Sequence, residues 1–165
     1  MARFEIKALD EYVDLLASVP KKKDKIIKSA LYQGSNIVAD EIRKEMNALQ
    51  VVSHGVYDEK AGRYKIGMTD VEKKDLLDGF GISPMEKKNG EINVKLGFDG
   101  YGHKTRKYPN GIPISLLAGA ILRGTSFRHK NDFMRRAVNR IKKKAINKMD
   151  QTINEEFEKE MRKDG

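Results

Sequence analysis

The sequence predicts an α+β fold: two N-terminal helices, a small antiparallel sheet of about four strands, and a long C-terminal helix packed on that sheet. Three observations predict it. Apolar residues recur at helical spacing over residues 6–49 and again over 131–162. Between them, residues 51–98 change to the shorter period of strands, broken by glycine-rich turns. The chain has 165 residues and a mass of 18.8 kDa, the size of one domain spanning 1–165, with helices and strands segregated along it.

Ile6, Leu9, Val13 and Leu16 mark a short amphipathic helix over 6–18. Pro20 ends it and can open the next helix, because its missing N–H is not needed in a first turn. The second helix is expected over 21–49, with Ile27, Leu31, Gly34, Val38, Ile42 and Leu49 on one face. Gly34 in that stripe predicts close approach by another backbone. VVSHGVY and RYKIGM, separated by DEKAG, read as a β-hairpin. DLLDGFGIS and EINVKLGF, joined by PMEKKNG, read as a second strand pair. Residues 99–111, DGYGHKTRKYPNG, are expected to be a mobile loop, and Ile114–Leu122 a short helix.

Asn131 or Asp132 is placed to cap the last helix. Its apolar residues are Phe133, Ala137, Ile141, Ala145, Met149, Ile153, Phe157 and Met161, every fourth position. Each step of four advances the stripe by about 40°, so seven steps turn it by about 280°. One flat surface cannot cover such a stripe. The first half is expected on the sheet, and the second, from Met149, on a different surface. That surface is either a neighbouring subunit, met by Met149, Ile153, Phe157 and Met161, or the first two helices of the same chain.

Composition removes several functions. Cysteine is absent, which excludes disulfides, zinc ribbons, iron–sulfur sites and a cysteine nucleophile. No apolar run approaches the roughly 18 residues a membrane helix needs, and MARFEIKALDEY lacks the apolar core of a secretory signal. His54, His103 and His129 are scattered without metal-ligand spacing, and Ser115 and Ser126 lack a nucleophile-elbow context. Asp75 and Asp78 form the kind of carboxylate pair any acidic surface carries. The expectation is a chain with no enzymatic activity, no cofactor and no metal.

The formal net charge is +9. Between Arg123 and Lys148 lie ten basic residues, Arg123, Arg128, Lys130, Arg135, Arg136, Arg140, Lys142, Lys143, Lys144 and Lys148, opposed only by Asp132. The remaining 23 basic and 23 acidic side chains cancel, so the excess is one local feature. It is either a solvated helix face or a surface that meets something acidic, nucleic acid or protein. Tyr101 and Tyr108, in the basic loop, could stack on bases.

The order LLDGFGIS, INVKLGFD, a glycine-rich loop, then LLAGAILRGTSFRHKNDFMRRA resembles the tail-completion proteins of long-tailed bacteriophages, minor tail components that join head to tail. The shared features are a strand of v-x-i-G-f type, the turn Gly124-Thr125-Ser126, and Phe133 opening a basic helix. The chain departs from that pattern at Leu122 and Arg123, and in lacking prolines between the turn and Phe133. The resemblance implies a structural protein of the virion neck or tail end, present in the host cytoplasm during assembly. Implied partners are other neck and tail proteins, such as tail terminator, head-completion or connector proteins. Copies of the chain in a sixfold ring, and non-specific contact with phage DNA, are implied as well. On that reading Arg123, Arg128, Lys130, Arg135, Arg136, Arg140, Lys142, Lys143 and Lys144 make the assembly or phosphate contact. A small basic nucleic-acid-binding protein using the C-terminal helix is the alternative.

Overall fold

The computed structural model describes residues 22–52, 55–60 and 62–164. The helix expected over 6–18, and His54, lie outside them. Four helices are described: α1 (Lys23–Ala48), α2 (Asp70–Gly79), α3 (Ile114–Arg123) and α4 (Phe133–Asp164). Six three-residue strands accompany them: β1 (Val56–Asp58), β2 (Arg63–Lys65), β3 (Phe80–Ile82), β4 (Glu86–Lys88), β5 (Glu91–Asn93) and β6 (Leu96–Phe98). The chain is mixed helix and strand, with a long helix closing the described part. Among the described residues the expected four-stranded sheet is not formed. The strands pair only as β1–β2, β3–β6 and β4–β5.

The segment read as the strand DLLDGFGIS is half helix. Thr69 stands before Asp70 in extended conformation and its hydroxyl accepts the Glu72 N–H, while Glu72 returns a carboxylate oxygen to the Thr69 N–H at 2.9 Å. This reciprocal box satisfies two N–H groups that a helix start otherwise leaves open, and it commits residues 70–79 to α2. Only Phe80–Ile82 remains strand.

The strand read as EINVKLGF is interrupted as well. Gly79 and Asp99, then Ser83 and Lys95, flank the β3–β6 pairing through backbone bonds of 2.9 and 2.7 Å. The β4–β5 register pairs Glu86 with Asn93 and Lys88 with Glu91. Between the two ladders Pro84 and Met85 stand opposite Val94 alone, a two-against-one bulge at a proline that has no N–H to give. Asn89 and Gly90 close the hairpin with φ of 54° and 83°, the left-handed pair of a type I′ turn.

The chain forms two compact units, each discontinuous in sequence. The first comprises the described residues up to Asp40, Ile82–Leu96, and those from Asn139 onward. Its core is Ile26, Ala30 and Leu31 of α1 against Met149 and Ile153 of α4, edged by Ile27, Met85, Ile92, Val94 and Phe157. Gly34 is indeed a point of close approach, but to a side chain: a Cβ there would run into Met149.

The second unit comprises Glu41–Gly81 and Gly97–Val138. Its buried residues include Ile42 and Met46 of α1, Leu76 of α2, Leu117 and Ile121 of α3, and Phe133 and Ala137 of α4. Three rings connect them. Phe80 and Phe98 lie 5.3 Å apart, Phe98 and Phe133 meet edge-on at 6.4 Å, and the Arg43 guanidinium sits 5.4 Å above Phe80. Lys73 of α2 donates to the carbonyls of Asn47 and Leu49 at 2.7 and 3.0 Å, satisfying the end of α1.

Candidate functional site

In the second unit, Gly124 follows α3 at φ 73°, ψ 168°, a region that is essentially glycine-only. A Cβ there would lie 2.9 Å from the backbone nitrogen of Lys130, so the chain passes too close for any side chain. Thr125 and Arg128 then exchange backbone hydrogen bonds of 3.0 and 3.4 Å, and the Thr125 hydroxyl accepts the Phe127 N–H. The Ile66 N–H bonds the Phe127 carbonyl at 2.7 Å, and the Asn131 N–H bonds the Ile121 carbonyl at 2.9 Å. The Gly124-Thr125-Ser126 turn is therefore fixed on both sides, and Phe133 enters α4 fully buried.

Arg128 does not belong to the exposed basic set. Its guanidinium is buried and meets Glu72 through two bonds of 2.6 and 3.3 Å, and it donates to the Gly67 carbonyl at 3.0 Å. A fork–fork pair of this kind fixes geometry, and it leaves Arg128 no charge to offer a partner. Glu72 thus serves both the α2 cap and Arg128.

Elsewhere in this unit the exposed cations are partly answered. Lys130 and Arg135 both reach Asp132, at 3.1 and 3.6 Å, and Arg136 reaches Glu45 at 3.5 Å and the Asn131 side chain at 3.1 Å. Arg123 turns its Nε back to the Gly119 carbonyl at 3.4 Å. Arg135 keeps most of its surface in solvent.

In the first unit, Lys142, Lys143 and Lys144 are exposed and have no ion pair among the described residues, whereas Arg140 is partnered. Three successive helix positions differ by about 100° each, so these ammonium groups spread over about 200° of the helix surface. They form a collar, not a stripe.

The second half of α4 resolves the alternative left open for its drifting stripe. Met149 and Ile153 are buried against Ile26, Ala30 and Leu31 of the same chain, and Phe157 packs at the edge of that cluster. Met149 and Ile153 are thus not free for a neighbouring subunit, whereas Phe157 keeps part of its surface in solvent and Met161 is 51% exposed. The Glu160 carboxylate, 5% exposed, is held by Lys22 at 2.6 Å and Lys163 at 3.4 Å. The hydrogen bond from Lys22 is the main reason its pKa lies below the ordinary 4.5, with both lysine charges adding to it.

One arrangement in the second unit was invisible in sequence. Asp75 of α2 accepts the His103 backbone N–H at 2.9 Å, and the same oxygen lies 2.6 Å from the His103 Nδ1. Gly102, beside it, is pressed against Asp75 so that any Cβ would clash. The loop is a built excursion. Gly102 and His103 exchange backbone bonds with Ile112, Gly100 accepts the Ile114 N–H, and Thr105 and Tyr108 bond each other in both directions at 3.0 and 3.1 Å. Gly111, at φ 104°, returns its N–H to the Tyr108 carbonyl.

Among the described residues no group of His, Asp or Glu is arranged to hold a metal ion, and no helix is long and apolar enough to cross a membrane. Comparison with family models, with curated proteins and with solved structures finds no match.

Proposed function

We propose that the chain is a structural tail-completion protein that joins head to tail in a long-tailed phage or prophage, acting by protein–protein assembly and without enzymatic activity. The observation that carries this reading is the order of elements from 76 to 137: a short strand pair, a glycine-rich excursion, a short apolar helix, the Gly124-Thr125-Ser126 turn, and a basic helix opened by Phe133. Support comes from the anchoring of the residues that follow that turn: the Phe127 carbonyl accepts the Ile66 N–H, and the Asn131 N–H donates to the Ile121 carbonyl. The assembly contact is assigned to Lys130 and Arg135, which share Asp132, together with Arg123 and Arg136.

The test is complementation in a phage lacking the gene, with free heads and free tails counted by electron microscopy. Wild-type protein restores joined particles, and the folded variant Lys130→Glu/Arg135→Glu leaves heads and tails apart. Normal joining by that variant removes the assigned contact; joined particles in the gene's absence remove the function. The collar of Lys142, Lys143 and Lys144 favours a second reading, non-specific nucleic-acid binding by α4, whose signature is affinity that falls steeply with salt.

A further inference from the structure

We propose that the 100–113 excursion is a binding site for single-stranded nucleic acid: Lys104, Arg106 and Lys107 take the phosphates and Tyr101 stacks on a base. The site is independent of α4 and of the head–tail reading.

The excursion is held from below and loaded at its tip. Asp75 ties its stem through His103, and the bonds to Ile112 and Ile114 close the two sides. The Thr105–Tyr108 turn then fixes the outermost residues, so Lys104, Arg106 and Lys107 are exposed on a defined backbone. No acid answers them among the described residues. Residues 100–113 contain no carboxylate; flanking Asp99 accepts the Gly100 N–H, and Asp75 is taken by His103. Lys107 stands 5.6 Å over the ring of half-buried Tyr108, which holds the ammonium in place without neutralising it.

Tyr101 separates a nucleic acid from an acidic protein as the partner. It is 72% exposed, ahead of Tyr64 at 69% and more open than any other large apolar side chain among the described residues. Its Cβ lies against Gly111, whose N–H bonds the Tyr108 carbonyl, so its base is fixed to the same loop while its ring is in solvent. An exposed aromatic face beside a fixed set of cations is how sequence-tolerant single-strand binding is built, because every base has a face to stack. An acidic peptide would use the cations and leave Tyr101 idle.

The experiment is fluorescence anisotropy on the whole chain with a labelled oligothymidylate of about 20 nucleotides, longer than typical site sizes, and a duplex of equal length. Three phosphate contacts to a single strand predict a salt slope near –2, about a 20-fold loss of affinity between about 50 and 200 mM salt. Lys104→Ala/Arg106→Ala/Lys107→Ala should abolish most of that slope. Tyr101→Ala should weaken the oligothymidylate about fivefold or more and leave the duplex unchanged. Lys142→Ala/Lys143→Ala/Lys144→Ala should keep the Tyr101-dependent binding. Circular dichroism melting checks that each variant is folded. The proposal is overturned if the wild type does not bind, or if the loop variants bind as it does. It is also overturned if polyglutamate displaces the oligonucleotide as well as unlabelled strand does while Tyr101→Ala has no effect.

Discussion

Removing the Glu72 side chain should be among the most damaging surface-near substitutions in the second unit. Glu72→Ala leaves the Arg128 guanidinium, 8% exposed, with the Gly67 carbonyl in place of a two-point carboxylate, and it removes one of the two bonds of the α2 capping box. Breaking a buried pair from one side costs about 3–5 kcal/mol, because the surviving charge stays desolvated. At about 2.1 cal/mol/K per residue, cooperative unfolding of 165 residues converts that into a drop in Tm of about 9–14 °C. The assay is a double-mutant cycle in urea with Glu72→Ala, Arg128→Ala and both together. Removing both groups leaves no orphaned charge, so the double variant should recover at least about 1.5 kcal/mol relative to the sum. A loss under about 1 kcal/mol for Glu72→Ala, or simple additivity, would refute the assignment of Arg128 to the fold.

Two further outcomes are expected. Gly124→Ala combines a left-handed φ with a collision at the Lys130 backbone and should cost about 1–3 kcal/mol or more, whereas Gly81→Ala, with open space around the added carbon, should shift the urea midpoint far less. The lowered pKa of Glu160 means the unfolded chain binds its proton first. The Lys22–Glu160 contribution is therefore fully present above about pH 4.5 and lost as pH falls below it through the folded value. Stability measured from pH 6 to pH 3 should fall less steeply in Glu160→Gln than in the wild type, and parallel curves would remove the claim.

The long elements were legible because a stripe repeated over many turns is hard to mistake. The helix expected over 21–49 is Lys23–Ala48, and the one over 131–162 is Phe133–Asp164. The four-step drift of the apolar stripe also came through: α4 buries Phe133 and Ala137 in one unit and Met149 and Ile153 in the other. Helix α2 was missed because Leu76 and Leu77 beside GFGI resemble a strand, although Thr69 and Glu72 spell out a capping box three residues apart. The continuous strand over 91–98 failed because Pro84 cannot donate to the ladder opposite it. Contacts between distant residues left no local trace. Arg128 read as one of ten cations because Glu72 lies 56 positions away, and the 28 positions between Asp75 and His103 hid the anchor of the loop.

The division of each long helix between two units bears on how the chain is made. Leu31 emerges from the ribosome 118 residues before Met149, the residue it packs with. At about 5–20 residues per second, that is a wait of about 6–24 s. Everything the second unit needs has been synthesised once Val138 is out, so it can close first. The apolar face of Ile26, Ala30 and Leu31 must meanwhile stay clear of other chains. A destabilised second half of α4 would therefore be felt first as insoluble product during expression, before any change in the mature protein could be measured.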